Sequence, residues 1–171
     1  MDCKYCGFTN IEGDDLCSQC GQPQSDSHLR DPKSSIERSM LKGLVEDLNP
    51  KQPITVNATA TVSEVLNTLI NESIGCVFVV NESRQLLGVF SERDALMRLG
   101  TNANDHRDEP IENFMTPNPK GLPSNAKIAF AVHEMDLGHY RHIPIVDASE
   151  KAAGVISVRD ILHFMTSREE A

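Results

Sequence analysis

No apolar run in the 171 residues approaches the ~20 consecutive residues that a membrane-spanning helix needs, which excludes a protein threaded through a bilayer on such helices. The opening Met1-Asp2-Cys3-Lys4 has neither the basic nor the apolar stretch of a secretion signal, so a cytoplasmic protein is expected. Basic residues are also in short supply. Sixteen Lys and Arg stand against 25 Asp and Glu, for a net charge of −9, and the basic side chains are scattered. Phosphate-backbone binding rests on clustered Lys and Arg, so this balance argues against a nucleic-acid partner. The length suits one compact domain of about 100–150 residues with a small attachment and leaves no room for a large multidomain enzyme.

Cysteine is sparse too, but four of the five lie in the first twenty residues, as Cys3-x2-Cys6 and Cys17-x2-Cys20. Two residues between cysteines let one tight turn present both thiolates to the same ion, and two such turns complete a tetrahedral S4 set suited to zinc. Gly7 and Gly21 each follow a pair, where backbone without a Cβ can fold under the sulfurs and aim N–H groups at them. A redox CxxC would occur once, near a βαβ pattern, and disulfides are disfavoured without a secretion signal. A structural zinc site of Cys3, Cys6, Cys17 and Cys20 is therefore expected, closed because four thiolates leave no open position. His28, alone in a Ser/Asp-rich stretch, reads as solvated surface. The segment resembles the short CxxCG zinc-ribbon knuckles found at the ends of many bacterial and archaeal proteins. Such ribbons dock or oligomerise as often as they read nucleic acid, and Glu12, Asp14 and Asp15 lean against phosphate.

The expected organisation is a ribbon over 1–22, a polar linker over 23–35, a first repeat with its leading helix over 36–107 and a second repeat over 108–171. The leading helix carries Ile36, Met40, Leu41, Leu44, Val45 and Leu48 on one face, and Asn49-Pro50 ends it. Ile54–Val56 reads as a strand. Thr61-x-x-Glu64 is a capping box ahead of an amphipathic helix with Val62, Val65, Leu66, Leu69 and Ile70. Gly75 stops that helix, and Cys76–Val80 is a strand buried on both faces, its cysteine a small hydrophobe. A turn at Asn81–Arg84, a strand at Leu86–Phe90 and a helix over Ser91–Leu99 follow. In the second repeat Ser124 is expected to cap a helix carrying Ile128, Ala131, Val132 and Met135. A strand at His142–Val146, a strand at Ala153–Ile156 and a helix to about Met165 complete it. Each repeat reads β-α-β-β-α, an α+β (α/β) fold.

The repeat itself is plain in two stretches 66 residues apart, Gly88-Val89-Phe90-Ser91-Glu92-Arg93-Asp94 and Gly154-Val155-Ile156-Ser157-Val158-Arg159-Asp160. The same offset sets Val77–Val80 against Ile143–Val146 without a gap. Ser-x-x-Asp opening a helix is first of all a cap, in which Ser91 or Ser157 and Asp94 or Asp160 satisfy the N–H groups of the first turn. The same geometry also offers N–H groups and a positive dipole end to a phosphate, and a carboxylate to both hydroxyls of a ribose.

These residues resemble the CBS domain, named after cystathionine β-synthase, which occurs as a tandem pair. The resemblance rests on Gly-x-apolar-Ser-x-x-Asp in both copies, on Met115-Thr116-Pro117 before the second repeat, and on Tyr140–Asp147 within it. It covers roughly residues 36–166. It implies two repeats packed about a pseudo-twofold axis, with two clefts that bind adenosine ligands such as AMP, ADP, ATP or S-adenosylmethionine. By that resemblance Asp94 and Asp160 would hold ribose hydroxyls, Ser91 and Ser157 would approach phosphate, and Arg93 and Arg159 would flank the turn. Gly75-Cys76 and Tyr140-Arg141-His142 would frame the adenine and supply charge. Under the offset Gly75-Cys76 matches Arg141-His142 and Glu92 matches Val158. A phosphate near Arg159 in the second cleft could reach Arg141 and His142, whereas the added carboxylate at Glu92 would repel it in the first, so the copy around Ser157 and Asp160 is expected to be the better site.

The function expected is non-catalytic, because no activated nucleophile, open metal site or acid/base pair stands out. The chain would sense an adenine nucleotide and pass its occupancy to a protein partner or within a homodimer formed through the helices. A nucleic-acid-associated regulator, with the ribbon as contact element, is the alternative that charge disfavours.

Overall fold

The computed structural model describes residues 2–3, 7–11, 16–24 and 34–167. In chain order the regular elements begin with α1 (Ser35–Lys42), a 3-10 turn (Val45–Leu48), β1 (Thr55–Asn57), α2 (Val62–Asn71), β2 (Cys76–Val80) and β3 (Leu86–Ser91). After these come α3 (Glu92–Asp94), which runs into a π-helical turn (Ala95–Leu99), β4 (Thr116–Pro117), α4 (Ile128–Gly138), β5 (His142–Val146), β6 (Ala152–Ser157) and α5 (Val158–Ser167). The chain gathers into two compact units. One takes Lys51–Gly121 with His142–Val155; the other takes the N-terminal residues to Pro50, Leu122–Arg141 and the chain from Ile156 onward.

In the first of these units, β1 runs parallel to β2, and β2–β3 and β3–β4 are antiparallel, in the order β1-β2-β3-β4. All five residues of β2 are buried, as expected of a strand covered on both faces. Its alternation divides them: Val77 and Val79 join Val62, Val65, Leu69, Phe90, Leu99 and Ile111 in one core, while Cys76 and Phe78 pack with Val89 on the other face. Each such fully buried Val or Phe contributes about 1.5–3 kcal/mol. The α2 cap forms as the sequence implies: Thr61 N–H donates to Glu64 Oε2 at 2.8 Å and Glu64 N–H donates to Thr61 Oγ1 at 3.2 Å. Ile70, expected on the apolar face, is instead exposed.

In the other unit the leading helix is broken. Gly43 has an extended backbone (ψ 149°), and Leu44 pairs with Lys127 in a bridge, so α1 and the 3-10 turn are separate pieces. Gly43 is required there, because a Cβ would meet Ser39 O at 2.5 Å and Ile128 Cδ1 at 2.9 Å. Helix α4 starts after Lys127, not from a Ser124 cap; the Ser124 carbonyl accepts the Glu46 N–H at 2.9 Å. Ile128, Ala131 and Met135 are buried as expected, and Val132 is exposed.

β5 and β6 form their own two-stranded ladder. The strand that opens the second repeat, β4, pairs with β3 of the first, so the second repeat keeps the expected β-α-β-β-α order with its first strand in the other ladder. This belongs to a wider exchange. Leu44, Val45, Glu46 and Lys51 bond to Lys127, Ala126, Ser124 and Val155, while Val62 and Ser63 donate to the carbonyls of Glu109 and Arg107. The segment that precedes each repeat thus pairs with elements of the other repeat.

Candidate functional site

Both Ser-x-x-Asp copies form the same cap. Ser91 N–H and Oγ–H donate to Asp94 Oδ2 at 2.9 and 2.6 Å; Ser157 N–H and Oγ–H donate to Asp160 Oδ2 at 2.7 and 2.6 Å. The aspartate amides return bonds to the serine oxygens at 3.3 and 3.4 Å. One further contact fixes each helix start to the strand two elements earlier: Glu92 N–H donates to Gly75 O at 3.1 Å and Val158 N–H to Arg141 O at 3.0 Å. The capping role is therefore real in both copies. It also commits the single proton of each serine hydroxyl to a carboxylate in a short charge-assisted bond, so a phosphate would compete for that proton.

Around the first copy the structure adds residues that sequence reasoning did not assign. Arg98 Nε lies 3.3 Å from Asp94 Oδ1, and Thr116 Oγ1 donates to the same oxygen at 3.3 Å. The guanidinium also donates to Phe114 O at 3.0 Å, Met115 O at 2.7 Å and Thr116 Oγ1 at 2.9 Å. Arg98 was legible as an i,i+4 partner of Asp94. Thr116 was not, since 22 residues separate it from Asp94. Cys76 opens β2 beside these groups, and its thiol is pushed up to about 12 by burial, then by the negative charges of Asp94 and Glu92. The imidazole of His142 lies over Gly75: a Cβ at Gly75 would stand 2.6 Å from its Cε1 and 3.8 Å from Glu92 Oε2. Glycine at 75 is what lets the ring sit there.

Around the second copy, Arg141 and Arg159 are exposed at the two ends of the Val158-to-Arg141 contact. The Tyr140 ring lies against Gly138, where any side chain would collide with it.

At the N-terminus the described cysteines converge. The sulfurs of Cys3, Cys17 and Cys20 lie within 4.8 Å of one another, and the Cys3–Cys20 pair is 3.6 Å apart. That is far beyond a disulfide bond and close to the ~3.8 Å edge of a tetrahedron with Zn–S of about 2.3 Å. The donor set fits zinc; Cys6 and His28 lie outside the described residues. The two knuckles repeat at fourteen residues: Cys3 N–H to Phe8 O (2.8 Å) is matched by Cys17 N–H to Gln22 O (2.6 Å). Gly7 and Gly21, at φ 72° and 71°, donate their N–H groups to the Cys3 and Cys17 carbonyls, a correction to the expectation that these amides aim at sulfur. The sulfur donor is Asn10, buried at 5% exposure, whose Nδ2 reaches Cys17 Sγ at 3.5 Å while its Oδ1 accepts from Ser18 N–H and Oγ–H. Burial raises the Cys17 thiol, but the Cys20 and Gln19 amides and the Asn10 side chain outweigh it and bring it to about 6.

A strand running straight into a Ser-capped helix, repeated once with exchanged lead-in segments, defines a CBS-domain pair. The CBS-domain family profile matches residues 45–100 and 111–167, and the chain belongs to that family. Among relatives it is similar to a 17.7 kDa protein of Acidianus ambivalens, with 26% identity over 106 residues, or 62% of this chain and 63% of that one. The chain thus spans under two thirds of that relative. Among solved structures it is similar to the CBS domain pair of protein MJ0100 in complex with 5′-methylthioadenosine and S-adenosyl-L-methionine. The match has 25% identity and a TM-score of 0.64, and covers 71% of this chain and 98% of that one. CBSX2 in complex with AMP shares the fold, at 20% identity and a TM-score of 0.63, covering 74% and 98%.

Proposed function

We propose that the chain is a non-catalytic regulatory module that binds an adenosine ligand at its Ser-capped helix starts and signals occupancy to a protein partner or within a homodimer. The observation that carries this reading is the doubled cap in a CBS-domain pair, where a carboxylate and a helix N-terminus stand together at the end of a strand. Solved relatives holding AMP, 5′-methylthioadenosine and S-adenosylmethionine support an adenosine-type ligand. Asp160 takes the ribose hydroxyls, Ser157 and the α5 start meet an anionic group of the ligand such as a phosphate, and Arg141, Arg159 and Tyr140 supply charge and an aromatic face. Ser91, Arg93, Asp94, Gly75 and Cys76 are the corresponding groups of the first copy, with His142 beside Gly75.

Cys3, Cys6, Cys17 and Cys20 hold a structural zinc, whose contribution when bound is to cross-link the two knuckles. Leu96 and Leu162 hold matching places 66 residues apart, and with Ile70, Met97 and Leu137 they leave large apolar side chains exposed on the helices, which supports a homodimer through those faces. Ligand binding shifts the population between two arrangements of the module, and a partner reads the difference.

A thermal-shift series with AMP, ADP, ATP and S-adenosylmethionine tests the reading, because a ligand that binds only the native state raises the melting temperature by mass action. At least one should do so, and Asp160→Ala should abolish the rise. A melting temperature unmoved by all four would leave no nucleotide function.

A further inference from the structure

We infer that the two copies take different forms of the ligand, the first an adenosine with no charge at its 5′ carbon and the second its phosphorylated form, so that one chain reads both. The inference rests on the proposal above that each Ser-capped helix start takes an adenosine ligand, and it names the form each start accepts.

One backbone contact, made twice with opposite charges on it, separates the copies. Glu92 N–H donates to Gly75 O at 3.1 Å, and Val158 N–H donates to Arg141 O at 3.0 Å. In each case the first residue of the helix after the cap is joined to the residue just before a strand. The first copy thereby gains a carboxylate and no second side chain; the second gains an aliphatic group and a guanidinium. The Glu92 carboxylate turns back toward the contact, its Oε2 standing 3.8 Å from the point that a Cβ on Gly75 would occupy. Neither this carboxylate nor the Arg141 guanidinium has a hydrogen bond or ion pair among the described residues.

The neighbouring charges leave that difference standing. Asp94 and Asp160, and Arg93 and Arg159, hold matching places and do not separate the copies. The terminal nitrogens of Arg98 are bonded to the carbonyls of Phe114 and Met115 and to the hydroxyl of Thr116, so its donors are already engaged. The Cys76 thiol, pushed up to about 12, is uncharged at pH 8. His142, whose ring lies over Gly75, would add a cation to the first copy on protonation, which fixes pH 8 as the condition for measurement. A phosphate at the start of α3 therefore meets the free carboxylate of Glu92, and one at the start of α5 meets the guanidinium of Arg141. Both side chains are exposed to water, which holds each effect to on the order of tenfold in affinity and makes it sensitive to salt. Adenine and ribose carry no charge and are not sorted in this way.

Calorimetric titration of the full chain at pH 8 and low salt, with adenosine and AMP as probes that differ only in the phosphate, decides the matter. The wild type saturated with AMP should still take one adenosine per chain. Asp160→Ala, which leaves the first copy, should bind adenosine tighter than AMP by on the order of tenfold; Asp94→Ala, which leaves the second, should reverse the order. Adding Glu92→Gln to Asp160→Ala removes the charge and keeps the shape, and should bring AMP level with adenosine. Raising the salt should close the same gap in the protein that keeps Glu92. A structural lesion would move both probes together, so the ratio of their affinities is specific to the charge. Folded Asp160→Ala protein that binds AMP as well as adenosine, or Glu92→Gln that shifts both probes alike, would overturn the inference and leave the nucleotide reading intact. So would an AMP-saturated wild type that takes up no adenosine, a result that needs no variant to fold. Binding of neither probe by any of these proteins would remove both readings together.

Discussion

Cys76 opens β2 with its thiol buried beside Asp94 and Glu92, and it carries a pH signature of its own. Its folded pKa of about 12 lies above the ordinary 9.0, so the thiol stays protonated in the fold after the unfolded chain has begun to ionise. Its contribution to stability is complete below pH 9 and is lost as pH rises from there toward 12, by at most about 1.4 kcal/mol per pH unit. Urea midpoints measured at pH 8, 10 and 11 should fall more steeply for the wild type than for Cys76→Ala; equal slopes would mean that the thiol is not shielded. Glu109 behaves in the opposite sense. The hydrogen bond from His106, at 2.7 Å, holds its carboxyl below the usual 4.5, a stabilisation present above that value and lost as pH falls through the lower folded pKa. Acid unfolding of Glu109→Gln should accordingly start from a lower stability and show a shallower pH dependence. Asn10 has a third kind of role. Its amide reaches Cys17 sulfur while Ser18 locks its oxygen, so Asn10→Ala should weaken zinc retention against a chromophoric chelator by about 10- to 100-fold. Unchanged retention would leave Asn10 a packing residue only.

Among the elements, β3 and β4 show how close packing dictates a residue type. A Cβ at Gly88 would collide with the Met115 sulfur and stand 3.0 Å from the Thr116 carbonyl oxygen, so the packing of Met115 and β4 on β3 favours a residue without a side chain at 88. Gly88→Ala should cost about 1–3 kcal/mol, since the Met115 side chain must leave its place and the Thr116 carbonyl give by a few tenths of an ångström, whereas Thr61→Ala, which removes only the α2 cap, should cost about 1 kcal/mol. Chemical denaturation of the two variants side by side would check the order. The strand cores were legible because Cys76–Val80 and His142–Val146 are apolar throughout, and the caps because Ser, Thr, Asp and Glu stood at cap spacing. Other features had no local signal. Ser73 and His139, and Arg84 and Glu150, take left-handed backbone at matching places in the two repeats, yet neither pair is Gly or Asn. Local bonds close those turns without a glycine: Ile74 and Tyr140 N–H donate back to Leu69 O and Met135 O, and Arg84 and Glu150 N–H to Asn81 O and Asp147 O. The break at Gly43 has a tertiary origin, because the periodicity of Ile36 to Leu48 continues through a point where Leu44 leaves the helix to pair with Lys127. In the candidate site, the Ser and Asp positions and Arg98 could be read from spacing, while the approach of Thr116 to Asp94 and of His142 to Gly75 exists only once the chain is folded.

For the whole molecule, the net charge of −9 and the exposed Ile70, Leu96, Met97, Leu137 and Leu162 act against each other in self-association. Burial of those side chains in a homodimer predicts a mass of two chains by light scattering, and Leu96→Glu with Leu162→Glu should return it to one. A single-chain mass for the wild type would dismiss the dimer. The exchange of lead-in segments has a different consequence, for how the chain can be cut. Leu44–Lys51 makes its long-range backbone hydrogen bonds to residues beyond 120, and Arg107–Pro117 makes its own to residues before 92. A half-chain ending between the two repeats, within residues 100–108, would therefore carry a lead-in segment with no partner and lack the one it needs. Such halves should be poorly folded apart and recover structure when mixed, by complementation between fragments or by swapping between two copies of the same half.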